Sequence, residues 1–157
     1  MYRKQKGKGY DLAKEMLELA LSAVRAEVVE EWEHALQAQT RLENAVEQEK
    51  IMEKASRQAH EEAQEADDMI KCFKPRYLSN LDEWELHRQV TASDIAHRVE
   101  NYVEARLQEA RLVERQAKRE EEEAEQHLVQ LSTQEDELQA LLTQLKKAAK
   151  ESKGLKP

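Results

Sequence analysis

The chain has 157 residues, 37% of them charged and only 4% aromatic, with a formal net charge of −8. A composition rich in Ala, Glu, Gln, Leu, Lys and Arg is that of long helices and coiled coils, and it supplies too few large apolar side chains for one compact core. The acidic balance speaks against general nucleic-acid binding, which uses a basic surface, and the single cysteine, Cys72, forms no internal disulfide and fits a reducing compartment.

The first ten residues, MYRKQKGKGY, have no apolar core of a secretory signal. No apolar run in the chain approaches the roughly 18 to 20 residues needed to cross a bilayer, so a cytoplasmic, soluble protein is expected. Arg3, Lys4, Lys6 and Lys8 lie among Gly7 and Gly9, and residues 1–9 read as a flexible basic terminus.

Residues 10–73 read as a first coiled-coil helix. Apolar side chains fall at Leu17, Leu21, Val24, Val28, Trp32, Ala35, Leu42 and Val46. They resume at Met52, Ala55, Ala59, Ala63, Ala66, Ile70 and Phe73. Steps of three and four hold such a stripe on one face of a helix. Gln39 and Glu49 interrupt it, and polar seam positions commonly fix register. The alanines of the later half allow a close approach of the partner helix.

The stretch KCFKPRYLSN breaks the pattern. Pro75 has no amide hydrogen and disfavours helical geometry at Lys74, so the helix is expected to end near Phe73, with residues 74–80 as a loop. Ser79 or Asn80 can cap a second helix, with Asp82 or Glu83 completing a capping box. That second helix is expected over 81–151, followed by a flexible C-terminus at 152–157. Its stripe runs through Ile95, Val99, Val103, Leu107, Ala110, Val113 and Ala117. It continues through Ala124, Leu128, Leu131, Leu138, Leu142, Leu145 and Ala149, with Glu135 out of type. Thr91 and Ser93 in QVTASDIA offer a weaker second interruption. Residues 80–92 therefore read either as the first turns of this helix or as a short separate one.

Two arms of matched length, each about 100 Å at about 1.5 Å per residue, leave their stripes wet unless paired. The expected fold is all-α: two long helices forming an antiparallel coiled-coil hairpin, and hence a monomer. A parallel dimer running through a kink is the alternative, because seam periodicity does not report direction.

Sites of chemistry are scarce. Three glycines leave no phosphate loop or dinucleotide turn. His34, His60, His87, His97 and His127 include no pair spaced three or four apart, so all read as solvated rather than as metal ligands. Cys72 has no sequence-adjacent histidine or second cysteine and reads as a small apolar residue beside the corner. Carboxylates abound, but a catalytic pair needs a cleft that desolvates one of them. The run KREEEEAEQ reads as a solvated face, or as a docking strip for a basic partner. No catalytic residue, metal, cofactor, nucleic acid or small-molecule substrate is expected, and a non-enzymatic protein follows.

Two tips remain. An antiparallel hairpin brings the basic terminus with Arg3, Lys4, Lys6 and Lys8 beside the basic KKAAKESKGLKP, which reads either as frayed solubilising ends or as a positive surface for an acidic partner. The corner gathers Phe73, Tyr77, Leu81 and Trp84, either to seal the last layer of the coil or to anchor a protein contact.

With a central break followed by LSNLDEWELHRQ, in which Leu81 precedes Trp84 by three residues, the whole-chain plan resembles the central-stalk proteins of type III export ATPases of flagellar and injectisome secretion systems. The resemblance implies an antiparallel coiled coil similar to the rotary shaft of F- and V-type ATPases, seated in a hexameric ATPase ring. It implies the ATPase and an export-gate component as protein partners, secretion chaperones as further ones, and only an indirect relation to the membrane. It carries over Leu81 and Trp84 as matched positions and no catalytic residue. Gly7 and Gly9 depart from the family's early helix start. A self-associating coiled-coil scaffold or adaptor is the competing reading, and a basic-ended nucleic-acid or membrane-surface binder a third.

Overall fold

In a computed structural model, residues 2–73 and 80–154 are described, with side chains from Gly7 to Phe73 and from Leu81 to Gly154. They form two helices, α1 (Tyr2–Lys71) and α2 (Asn80–Gly154). The fold is an all-α helical hairpin. Its helices divide into two compact units: unit 1 comprises Met1–Gln39 with Arg119–Pro157, and unit 2 comprises Thr40–Lys118.

Within each unit α1 and α2 run antiparallel. In unit 2, Glu49 meets Arg111, Ser56 meets Glu104 and His60 meets Glu100. Seven residues forward on α1 are matched by seven back on α2, and the next four by four. In unit 1, Arg25 meets Glu135 and Glu31 meets His127 in the same sense.

Burial defines the seam. On α1 the half-buried and buried positions step by three and four through Leu17, Leu21, Val24, Val28, Glu31 and Ala35. They continue through Ala38, Leu42, Ala45, Glu49, Met52 and Ser56, then Ala59, Ala63, Ala66, Ile70 and Phe73. This strict alternation is the coiled-coil heptad. It corrects the expected stripe at four places, one of them Ser56, which takes the heptad position beside Ala55. Trp32 is 56% exposed and Glu31 takes the seam position. Gln39 is exposed, with buried Ala38 in its place, and Ala45 rather than Val46 is the buried member of its pair. At Trp32 and Val46 the larger apolar residue stands one position off the heptad, and the helix keeps the heptad because both sides of the seam must stay in step.

On α2 the seam includes Ser93, Ala96, Glu100, Val103, Leu107, Ala110, Glu114 and Ala117. Beyond these come Glu121, Ala124, Leu128, Leu131, Glu135, Leu138, Leu142, Leu145 and Ala149. Ile95, Val99 and Val113, expected in it, are 56%, 46% and 60% exposed and belong to a different stripe. Glu85, Gln89 and Ser93 are spaced by two successive steps of four, the extra spacing that locally unwinds a heptad seam.

The helix bounds differ from expectation mainly at the start. α1 is helical from Tyr2 rather than from residue 10. Glycine costs about 1 kcal/mol against alanine in a helix but introduces no clash, and nothing lies within 4 Å of a Cβ built at Gly7 or Gly9. At the other end the Cys72 amide donates to the Asp68 carbonyl and the Phe73 amide to the Ile70 carbonyl, tightening the last turn of α1. Pro75, Tyr77 and Ser79, with residues 74–79 of the expected loop, lie outside the described residues, and Asn80, expected as the loop's last residue or as a cap, opens α2. Asp82 and Glu83 fall in the first turn of α2, where carboxylates favour the helix dipole. α2 runs unbroken through QVTASDIA, so residues 80–92 are its first turns. Thr91 does not cap; its hydroxyl donates to the His87 carbonyl at 2.8 Å. At its far end α2 reaches Gly154, three residues past the expected stop, and residues 155–157 lie outside the described part.

The two units fill their seams differently. Unit 1 buries Leu21, Leu131 and Leu142 with Ala38 and Ala124. Unit 2 buries Ala45, Ala59, Ala63 and Ala117, with Leu107 its only buried leucine among the described residues. A buried leucine contributes about 1.5–3 kcal/mol and an alanine methyl well under half of that, so unit 1 carries the stronger apolar seam. Leu131→Ala is therefore expected to lower stability by about 2–3 kcal/mol, while Leu112→Ala, at a 60% exposed position, changes it by less than about 0.5. Urea unfolding followed by circular dichroism measures both.

Candidate interaction surfaces

A seam this poor in large side chains admits polar groups, and the structure places carboxylates there with partners. Glu135 accepts from Arg25 Nε at 3.1 Å, and Arg25 Nη2 also donates to Gln139 at 3.4 Å. Glu49 lies 3.5 Å and Glu53 3.8 Å from the Arg111 guanidinium. Both Glu49 and Glu135, read from sequence as irregularities, thus bind across to the opposite helix. These pairs are half-exposed, and such pairs contribute about 0–1 kcal/mol each. Their larger effect is on register, since a shift of either helix separates all of them together.

The histidines show what the sequence concealed. His127 Nδ1 lies 3.1 Å from Glu31 Oε2, and His34 approaches the same oxygen at 3.4 Å from its own helix. His60 Nδ1 lies 3.3 Å from Glu100 Oε2. His97 Nε2 sits 3.0 and 2.9 Å from the two oxygens of Asp67. His34, His60 and His127 are exposed, as expected of solvated residues, and with half-buried His97 they also lie beside carboxylates. No local motif reveals this, because each cross-helix partner is dozens of residues away; the signal is the antiparallel register itself.

Asp67 is the centre of a small polar layer. The Ser93 hydroxyl, 6% exposed, donates to its Oδ1 at 2.6 Å, and His97 bonds from the other side. The Ser93 bond first, then His97, holds the Asp67 carboxyl below its usual 3.8. Glu104 is likewise lowered, by Gln108 at 3.0 Å and then by Ser56 at 3.0 Å. In neither case is a carboxyl raised into the range where it would exchange protons near neutrality. The serine and histidine both bind the aspartate rather than each other, an arrangement that locks the layer and activates no nucleophile.

The residues expected to meet partners are placed as follows. Lys8 is exposed on α1. The side chains of Arg3, Lys4 and Lys6, and Tyr77 altogether, lie outside the described residues. Phe73 is half-buried at the end of α1, which fits the sealing role. Leu81 and Trp84 are 81% and 73% exposed. Trp84 lines a shallow hollow with His87, Arg88 and Thr91. Phe73 is thus half-buried, whereas Leu81 and Trp84 are exposed. Cys72 is exposed, not the small apolar filler expected. Among the described residues, no helix is long and apolar enough to cross a membrane, and no group of three or more His, Cys, Asp or Glu side chains is placed to hold a metal ion.

Comparison with protein-family models, with curated proteins and with solved structures finds no match.

Two outcomes follow from the polar layer. A carboxyl depressed in the folded state stabilises the fold above its ordinary value, near 3.8 for Asp67, and that contribution is lost as pH falls through the depressed value. Ser93→Ala removes the largest cause, so the Asp67 titration followed by NMR is expected to move up toward 3.8, and the acid limb of the stability curve to flatten. At the tightest point, Ala63 is 1% exposed. Ala63→Leu is expected to cost about 1–3 kcal/mol by overpacking, read from the thermal midpoint.

Proposed function

We propose that the protein is a non-enzymatic coiled-coil stalk of a type III secretion system, acting in the cytoplasm as a monomer and coupling a hexameric export ATPase to the export gate. The observation that supports this reading best is the antiparallel pairing of two helices of 70 and 75 residues within one chain, with cross-helix bonds in both units. That is the plan implied by the resemblance around Leu81 and Trp84. Among the described residues, the two carboxyls with resolved shifts, Asp67 and Glu104, are held low by hydrogen bonds rather than raised, which fits a non-enzymatic role.

The mechanism rests on symmetry. A single asymmetric hairpin in a six-fold ring meets each subunit differently. Its differential contacts favour one subunit state over another, and only differential affinity shifts such an equilibrium. Leu81 and Trp84 supply exposed apolar anchors for a protein partner at the start of α2, and the basic N-terminal residues supply charge for an acidic one.

A self-associating scaffold is the second reading, favoured by the exposed apolar side chains on α2, among them Ile95 and Tyr102. Light-scattering mass separates the two: 18.3 kDa is expected for the stalk, and a multiple of it for the scaffold. The direct test adds the purified chain to its cognate export ATPase. An increase in hydrolysis, lost with Leu81→Ser/Trp84→Ser if those anchors are engaged on the ring, is expected; unchanged hydrolysis with the unaltered chain overturns the stalk reading.

A further inference from the structure

Unit 1 carries an outward stripe that its seam does not use. On α1, Val29, Trp32 and Leu36 follow at steps of three and four and are 61%, 56% and 55% exposed. The antiparallel register brings a fourth apolar residue level with them. Arg25 crosses to Glu135 and Gln139, so Trp32, seven residues on, stands level with Leu128 and Ser132, seven residues back. Val129, 66% exposed, lies in that turn of α2. Trp32 repeats the heptad position of Arg25 and so lies on the flank where Arg25 crosses. On α2 the same flank presents exposed Glu125 and Ser132 in the heptad series of Gln139, with Glu122, Val129 and Asp136 beside them. Glu122, Glu125 and Val129 line a shallow hollow there with Gln126 and Gln130.

Charge in this stretch is of one sign. Residues 26–39 of α1 hold four carboxylates and residues 120–145 of α2 hold eight, with no Lys or Arg in either. The rest of the chain therefore carries a net +4, against −8 for the whole. Glu31 and Glu135 are taken up by His127 and Arg25, and Glu120 also has a partner. His34 and His127, the histidines of the stretch, both lie at Glu31. Arg25, at the head of the stripe, is bonded to Glu135 and Gln139. Among the described residues, Glu33 beside the stripe and Glu122, Glu125 and Asp136 across from it meet no cation. The acidic run singled out in the sequence is thus one border of an apolar patch, not an isolated solvated face.

We propose that the flank of unit 1 around Val29, Trp32, Leu36 and Val129 receives an amphipathic helix whose apolar stripe is bordered by lysine and arginine. Scattered exposed apolar residues are ordinary, but a tryptophan between aliphatic neighbours at helical spacing is the kind of anchor that carries binding energy. The basic border of the partner meets carboxylates that have no counter-charge of their own. A second copy of this face fits poorly, because carboxylate faces carboxylate in either direction and the one nearby arginine, Arg25, is already bonded. An anionic membrane surface is repelled for the same reason. The site lies within unit 1 and depends on neither an ATPase nor a secretion gate, so it stands or fails separately from the proposed function.

The test uses the full chain with Trp84→Phe, which leaves Trp32 as its one tryptophan. Its probes are two synthetic peptides of leucine heptads, one flanked by lysine and one by glutamate. The lysine peptide is expected to bind more tightly than the glutamate peptide by about tenfold or more at low salt. Its binding is expected to shift Trp32 emission to the blue as the ring leaves water. Glu122→Lys/Glu125→Lys/Asp136→Lys is expected to abolish the preference, and Trp32→Ser to weaken the lysine peptide in calorimetry while the circular dichroism stays helical. Equal or absent binding of the two peptides overturns the proposal. So does a preference that survives the charge reversal, or binding that leaves Trp32 emission unchanged, since either places the peptide elsewhere. A solution mass above 18.3 kDa that Trp32→Ser returns to that value overturns it as well, by giving the face to a second copy.

Discussion

Every feature of this molecule depends on keeping two helices in register along a seam with little in it. The buried positions are mostly alanines and a few leucines, and among the described residues no large side chain is fully buried. Alanine allows close approach and gives little burial energy per layer, so small errors of register are weakly penalised by packing alone. The three-four alternation, unbroken on α1 and on α2 from Ser93 onward, and the cross-helix polar pairs supply the missing specificity. Buried or half-buried polar groups in coiled coils serve this purpose at some expense in stability.

That constraint explains the difference between the units. Unit 1 has leucines at Leu21, Leu131 and Leu142, and the described pairs there involve Arg25, Glu31, Glu135 and His127. Unit 2 has alanines and a denser set of polar contacts, from Glu49 with Arg111 to the Asp67, Ser93 and His97 layer. The polar layer lies where the α2 seam departs from regular spacing, between Gln89 and Ala96. A hydroxyl, a carboxylate and an imidazole that must all meet there define one alignment, which a row of methyl groups does not.

Much of this was legible in the sequence, and the misreadings share a cause. The two helices and the Leu131 to Ala149 end of the seam follow from periodicity, and the end of α1 near Phe73 follows from Pro75. Trp32, Val46, Ile95, Val99 and Val113 draw the expected stripe away from Glu31, Ala45, Ala96, Glu100 and Glu114, because size and hydrophobicity outweigh spacing in a one-dimensional pattern. On α2 two rows lie side by side, an alanine-and-glutamate seam facing α1 and an aliphatic-and-arginine row facing out. One-letter hydrophobicity merges them, whereas burial separates them. The histidine pairs were invisible for another reason: a contact between His60 and Glu100 exists only once the antiparallel register is known. Leu81 and Trp84 are exposed, but nothing in their spacing distinguishes an anchor from a seal.

The central claim is the intramolecular antiparallel register, since the seam, the polar pairs and the outward stripe all follow from it. Its most direct test is cross-linking of a Ser56→Cys/Glu104→Cys chain in a Cys72→Ser background, the two positions joined here by a 3.0 Å hydrogen bond. Oxidation at low protein concentration should give a monomer with a single internal disulfide, whose formation is lost when the second cysteine is moved to exposed Leu112. A covalent dimer as the main product, or equal internal cross-linking from both positions, would contradict the register and the fold built on it.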